Sequence, residues 1–588
     1  MVTRISCSKT EAIAEAGGLY WLAATLFLIC VPLLAHVLFS WIGFNPTDDG
    51  FTLAYSRRIL SGEVPHRDFI IIRPVLSPLI HVPFVALGGD RTFHISRLFV
   101  WVEFACIAWI WVHIADRLLR TRVRSGQRFL FALVAFVFSA HSFPIMAWHT
   151  VDALLLISIG LALCLTESSL SCFFGFVLIG SAYLCKQNFL LVGPVALILL
   201  RGWRKPVYWL AVALPAIAYL LFLVFTRSLS DAAVQLTAQT GVFGPGFWRY
   251  VSDFAFTLGV VLGYMGARMM LQADSESRRV KGLSMVLLAP ILSCLGLASG
   301  HFTSHWAVGL FGVVLGMSAY FARTRKERGY WTLGVLVTLV AWSVSISVGY
   351  NTPALAAGPI VIVLLSFVSL LATDGKPAVM MRYATLVLAV LAVSSFAIVR
   401  LNDVYRDRKA LNLNCSLTGV LPGAAGLRTN PVTCAYLQDL RNIIASLGDM
   451  DYCVVPDTAA CWVQSRHINP LPVDWASTTE LNKPQLLLRE LATITNHRGP
   501  LAVIVQKFDA RSLASELCPV SAANDVVSFV RRNLHEVRET QYFKVYTGAR
   551  LQSRTAARVE TANRGRAVNP ELRQTGEYPG RGGGYQRH

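Results

Sequence analysis

The sequence predicts an all-α polytopic membrane bundle followed by a small C-terminal α/β domain. Three observations point there. Of 588 residues, 54% are hydrophobic and 15% charged, with mean hydropathy +0.51, which is more apolar surface than a water-soluble chain of this size can bury. The apolar residues gather in runs of bilayer length up to about residue 400. After Asn402 those runs stop, and short alternating patterns replace them.

Residues 1–19 are polar, carry Arg4 and Lys9, and are expected in the cytoplasm. The apolar run Leu19–Phe44 is too long for a signal-peptide core and lacks a clear small-residue cleavage site, so it reads as a retained first span. Further runs lie near 93–115, 129–147, 150–167, 169–185, 189–201, 206–227, 253–271, 283–299, 305–322, 329–349, 355–373 and 382–400. The total is about thirteen, a few of them short against the ~20 residues that a perpendicular helix needs. Basic residues then orient the chain. Arg117, Arg120, Arg122, Arg124 and Arg128 follow the second run, and Arg201, Arg204 and Lys205 the sixth. Arg278, Arg279 and Lys281 follow the eighth, Arg323, Arg325, Lys326 and Arg328 the tenth, and Lys376 and Arg382 the twelfth. Such loops face the cytoplasm, which puts the N-terminus inside and the first loop and C-terminal region outside. The same placement accounts for much of the net charge of +19 and argues against nucleic acid as a partner.

The expected organisation is a cytoplasmic segment 1–19, a membrane domain 20–400 with its functional first outer loop at 45–92, an external α/β domain 401–551, and a disordered basic tail 552–588. In the external domain DYCVVP and LAVIVQ read as buried strands. QLLLRELAT and DVVSFVRRNL read as amphipathic helices, and VRETQYFKVYTG as a closing hairpin. Of the twelve cysteines, Cys30, Cys106, Cys164, Cys172, Cys185 and Cys294 fall in apolar runs as packing residues. Outside the cytoplasm, Cys415 with Cys434 and Cys453 with Cys461 are candidate disulfides, with Cys518 left over.

The first outer loop, Asn45–Arg91, holds the densest polar chemistry. Asp48 and Asp49 stand where a helix begins. Two roles are open to them: capping free N–H groups, or work as a base that takes a proton from an attacking hydroxyl. On the following helix Phe51, Tyr55 and Arg58 share a face, as expected of a helix along the membrane surface, where Arg57 and Arg58 can also snorkel to headgroups. Pro65-His66-Arg67-Asp68-Phe69 reads as a turn, in which Asp68 can simply pair with Arg67. Arg73, ahead of Pro74 and an apolar run, suits a phosphate gripped by two parallel hydrogen bonds, or a lipid headgroup.

In order and placement, Asp48-Asp49-Gly50, Tyr55, Arg58, Ser61-Gly62-Glu63-Val64-Pro65, Arg67-Asp68-Phe69 and Arg73-Pro74 resemble the first outer loop of the GT-C superfamily. The closer resemblance is to its bacterial branch, related to dolichyl-phosphate-mannose protein mannosyltransferases and lipid A aminoarabinose transferases. The chain departs from that pattern where Asp49 replaces the commoner Glu, His66 the commoner Tyr, and Pro74-Val75 the commoner Pro-Pro. The resemblance implies a GT-C-like fold and an inverting transfer of a sugar from a polyprenyl-phosphate donor to a lipid, glycan or protein acceptor, on the outer side of a bacterial plasma membrane. It implies Asp48 as base and Arg73 at the phosphate-binding cation, with Lys186 or Arg58 assisting.

Later polar residues on the same side are candidate substrate contacts: His149 and Asp152, Lys186-Gln187, His301, and His305 before Trp306. Lys186-Gln187 and His305-Trp306 also resemble family members. An unpaired lysine such as Lys186 at a membrane border must line water or meet an anion. Tyr55, His66 and Asp68 complete the candidate set. No cofactor is implied; Asp48 and Asp49 together could hold one divalent metal, with no further carboxylate cluster in the outer loops to support it. Two other classes fit a polytopic chain, a transporter and a non-catalytic envelope assembly protein. Against the first stands the lack of paired half-sequences with matching broken spans.

Overall fold

The computed structural model describes residues 18–548, except 122, 142–143, 240–242, 273–274, 300–304, 325–327, 348–350 and 373–374. The basic tail and the first seventeen residues lie outside the described residues.

Each predicted apolar run falls on a helix. Gly18–Phe39, Leu76–Leu119, Pro206–Phe225, Phe254–Leu271, Glu276–Ala298, His305–Thr324, Ala354–Leu371 and Gly375–Asn402 are the stretches long and apolar enough to cross a membrane. Ser125–Ala140, His149–Cys164, Ser169–Leu184 and Gln187–Leu199 are shorter apolar helices. The bundle shares one continuous core. Trp101, Trp111, Phe104, Phe131 and Phe138 fill it without exposure, while Leu210, Leu220, Phe225, Leu288 and Val390 point outward from peripheral helices. Helix Phe254–Leu271 packs closely on His305–Thr324, where a Cβ on Gly263 would stand 2.1 Å from the Val313 carbonyl oxygen and one on Gly316 equally near that of Val260. Small residues at such crossings let backbones approach.

Beyond Asn402 a two-residue ribbon, β1 (Cys415–Ser416) with β2 (Arg428–Thr429), leads to a four-stranded sheet. Its strands are β3 (Asp451–Val455), β4 (Leu501–Gln506), β5 (His535–Glu539) and β6 (Phe543–Thr547), in the order β3-β4-β6-β5. β3 and β4 run parallel, and the other pairs are antiparallel. Parallel neighbours need a crossover, here the helix Pro484–Thr495. β4 is buried along its whole length, which explains its unbroken apolar run. The strands, the helices Pro484–Thr495 and Asp525–Asn533, and the β5–β6 hairpin fall where the sequence predicts them. The helix Pro431–Leu447 was not anticipated. It begins under an Asn430 cap that accepts from Val432 and Thr433 N–H, and Pro431 occupies its first turn. Cys415 and Cys434 form a disulfide, but Cys453 and Cys461 are separate buried thiols. The expected Cys453–Cys461 bridge is therefore corrected: they belong to a strand and to the 3₁₀ turn Ala459–Trp462, and each is packed into the core.

The first loop forms two helices, Asp48–Leu60 and Leu76–Gly88. The first is not a surface helix. From Asp48 through Ser56 every residue is buried, because the C-terminal domain covers it. Phe44, Leu53, Ala54, Val85 and Phe93 of the helical domain share a core with Leu417, Tyr436, Ala460 and Phe543 of the C-terminal one. Ala460 N–H donates to Pro46 O (2.9 Å), Ile70 N–H to Pro472 O (2.7 Å), and Gly43 N–H to Arg428 O (3.0 Å). Gly50 sits on the turn Ala459–Trp462 so closely that a Cβ would fall 2.1 Å from Ala460 N.

That contact reverses a usual rule. In an ordinary helix Gly→Ala gains about 0.5–1 kcal/mol. Gly50→Ala is expected to cost about 1–3 kcal/mol through overpacking against backbone, seen as a lower Tm in detergent and faster proteolysis between residues 403 and 430. An unchanged or higher Tm would show that the two parts do not meet at Gly50.

Candidate functional site

The two adjacent carboxylates separate into different roles. Asp49 Oδ2 accepts from Asn45 N–H (2.9 Å), and Asn45 Oδ1 in return accepts from Asp48 N–H (2.9 Å), a reciprocal cap on the helix start. Asp49 Oδ1 pairs with Arg97 Nη2 (2.8 Å), and Arg97 also donates to the carbonyls of Ser40, Ile42 and Gly43. Asp49 thus fastens the loop to the span beneath it. Burial nevertheless holds its carboxyl above the usual range, with Arg97 opposing.

Asp48 turns the other way. Its Oδ2 accepts from Tyr405 Oη (2.9 Å) and Arg406 Nη1 (2.5 Å), both just past the last span. Its Oδ1 has no hydrogen-bond partner among the described residues. Asp48 is 5% exposed. Thr47 Oγ1, beside it, donates to Asp457 Oδ1 (2.8 Å) of the C-terminal domain. Burial raises the Asp457 carboxyl to about 7, with the charges of Asp509 and Asp48 adding to the rise and Thr47 and Arg511 opposing it.

Further along the helix, Phe51 and Tyr55 stand on the face of Asp48, one and two turns on. Arg73 lies over the Phe51 ring at 5.0 Å and pairs through Nη1 with Glu480 Oε1 (3.2 Å). The ring of Tyr55 stacks on Phe69 (5.7 Å), and its buried hydroxyl has no hydrogen-bond partner among the described residues. Phe51, Tyr55, Phe69, Ile71 and Val75 make a small apolar cluster beneath Trp475 and Trp148. His149, its ring tilted against that of Trp148 at 4.7 Å, lies close enough to Arg73 and Lys186 to feel both charges. Gln187 Nε2 donates to Ile72 O (2.8 Å) and so holds the residue before Arg73. Lys186 is 4% exposed. Its ammonium donates to Thr150 Oγ1 (3.3 Å) and meets no carboxylate among the described residues. Burial, then repulsion by Arg73, brings its pKa down to about 7.

Arg58 is not at the lipid surface. It is buried in an ion pair with Asp474 (Nε–Oδ2 and Nη2–Oδ1, both 2.8 Å) and with Glu63 (3.1 Å), and donates to Leu471 O (2.6 Å). It does not snorkel because Asp474 of the C-terminal domain and Glu63 of its own loop supply its counter-charges. His66 bridges Gln235 (2.8 Å) and Tyr219 (2.5 Å), and burial lowers it to about 4. Asp68 pairs with Arg67 in an exposed turn. Asp152 is buried against Ser77 and His81, tying helix Leu76–Gly88 to the bundle. His305 pairs with Asp253 (2.8 Å) at the start of another helix pair. His301 lies outside the described residues. The structure therefore gathers Asp48, Tyr55, Arg73, His149, Lys186 and Gln187 along one helix and its neighbours, but not Asp68 or His305. Sequence reasoning missed Arg97, Tyr405, Arg406, Asp457, Asp474 and Glu480. Among the described residues no three His, Cys, Asp or Glu side chains are grouped as metal ligands.

No protein-family model matches the chain, and no curated protein does. Among solved structures it is similar to ArnT from Cupriavidus metallidurans bound to undecaprenyl phosphate, with TM-score 0.50 and 12% identity over 90% of this chain and 98% of that one. The apo state of the same protein aligns with TM-score 0.46 and 14% identity over the same shares. The likeness to the undecaprenyl-phosphate-bound structure bears out the expected polytopic helical fold, which resembles that of ArnT.

Asp457 supplies a pH test. Its folded value of about 7 stands above the ordinary 3.8, so the folded state holds the proton more tightly. Its contribution to stability is full below about pH 4 and is lost as pH rises through about 7. Asp457→Asn is expected to flatten the fall in Tm between pH 5 and 8 and to raise Tm at pH 8. A wild-type Tm slope kept by the variant would remove Asp457 as its source.

Proposed function

We propose that this chain is an inverting glycosyltransferase that moves a sugar from a polyprenyl-phosphate donor to a lipid, glycan or protein acceptor on the outer side of the plasma membrane. One observation carries the reading: Lys186, almost fully buried beside Arg73, meets no anion among the described residues. A buried unpaired cation is costly unless an anionic ligand completes it. A donor phosphate does so, its oxygens taking two N–H groups from Arg73 and one from Lys186. The fold supports the same class of ligand, since the similar ArnT structure holds undecaprenyl phosphate.

In this reading Asp48 Oδ1 takes the proton from the acceptor hydroxyl. The oxygen attacks the anomeric carbon on the side opposite the phosphate, the carbon–oxygen bond to phosphate breaks with its electron pair, and Arg73 and Lys186 stabilise the departing charge. Arg406 and Tyr405 keep Asp48 oriented through Oδ2. Asp49 and Arg58 serve as anchors, and the outer domain covers the site. The N-terminus lies in the cytoplasm, in line with the basic loops.

Membranes carrying Asp48→Asn, Asp49→Asn or Lys186→Met, assayed with radiolabelled polyprenyl-phosphate sugars at matched expression, test this. Asp48→Asn is expected to lose transfer by roughly a hundredfold or more while still inserting. Lys186→Met should fold as well as wild type or better, since it removes an unpaired buried charge, yet transfer poorly. Asp49→Asn should lower yield instead, because a buried Arg97 without its partner costs about 3–5 kcal/mol. Undiminished transfer by Asp48→Asn would remove it as the base, and no transfer by wild type with any donor would return the transporter and assembly readings.

A further inference from the structure

The outer-domain segment 475–483 crosses the phosphate-binding residues like a strap. Trp475 meets Phe51 edge-on at 5.2 Å. Ser477 Oγ accepts from Glu480 N–H (3.4 Å), turning the chain so that the carboxylate points inward to Arg73. Beyond it the strap is tied down: Asn482 Nδ2 donates to Ala238 O, and Lys483 Nζ to Thr237 Oγ1 (2.6 Å).

Glu480 is wholly buried, yet among the described residues only Oε1 has a partner, and Oε2 has none. Leaving one carboxylate oxygen unpaired out of water is expensive. An apolar side chain would fill the same place more cheaply. What the carboxylate supplies is charge: it is the counter-ion of Arg73 in this structure, and it leaves Lys186 uncompensated. It is therefore an incomplete substitute for an anion that would serve both cations.

We infer that Glu480 holds the place of the donor phosphate at Arg73, and that the phosphate and Glu480 compete for that guanidinium. The inference rests on the phosphate-binding reading of Arg73 and Lys186. Arg73 is 13% exposed on its side chain and Glu480 not at all, so a phosphate reaches the guanidinium only when the strap yields. The exchange trades one buried anion for another, and its net cost is that of releasing the strap. The apparent affinity for donor is then the intrinsic affinity reduced by the fraction of molecules in which Arg73 is open. This gives the outer domain a role in choosing when the site fills: the strap excludes water from the cations until a phosphate replaces the carboxylate.

The test uses undecaprenyl phosphate, without sugar, binding to the full chain in detergent. Glu480→Gln is expected to bind it about tenfold more tightly than wild type, because an amide leaves Arg73 open more of the time. Lys483→Ala, which cuts a tie of the strap away from the cations, is expected to tighten binding in the same direction and stands in should Glu480→Gln fold poorly. Arg73→Gln should weaken binding at least tenfold. Equal or weaker binding by both Glu480→Gln and Lys483→Ala overturns the inference and makes Glu480 a support for Arg73. Wild-type binding that Arg73→Gln leaves unchanged overturns the phosphate-site reading beneath it, whatever Glu480 does. Absence of binding in all variants overturns both.

Discussion

The structure turns on the need to neutralise charges buried between a membrane bundle and its cover. The first loop carries Asp48, Asp49, Arg58 and Arg73 into the protein, and each finds its opposite in a different part of the chain. Asp49 takes Arg97 from the next span, Arg58 takes Asp474, Arg73 takes Glu480, and Asp48 takes Arg406. Three of those partners follow the last span. Such pairs give uncertain net stability, but losing one partner is costly. They therefore fix where the outer domain sits more firmly than apolar contact alone would. Lys186 stands out against this pattern, and the functional reading grows from that exception.

Much of the fold was legible. Apolar runs located the helices, and alternation with continuous apolar strings located β3, β4 and the β5–β6 hairpin, because those signals are local. Gly50 was legible as part of a motif but not as a contact: nothing near it in sequence says that Ala460 will lie against it. The helix Pro431–Leu447 escaped notice although Asn430 and Pro431 form a recognisable start, since its apolar residues are interleaved with Thr433, Gln438 and Asn442.

The candidate site was half legible. Its first-loop residues are close in sequence and share helical spacing. Their partners are not, and no spacing rule joins Arg58 to Asp474 or Arg73 to Glu480. For the same reason Asp48 and Asp49, neighbours in the chain, are equivalent in sequence but not in structure: Asp49 points into the bundle and Asp48 toward the residues after the last span. Of the two roles open to the pair, Asp49 takes capping, and proton transfer by Asp48 stays with the proposal.

The Arg58–Asp474 pair has a bearing on how the chain is made. Its members are 416 residues apart, and ribosomes add about 5–20 residues per second. The first loop therefore waits on the order of half a minute, with its charged helix uncovered, before the residues that neutralise it emerge. A nascent chain at that stage presents an incomplete polar face at the membrane border. Premature termination before residue 474 would leave not a smaller working protein but a bundle with orphaned charges, a natural target for membrane quality control.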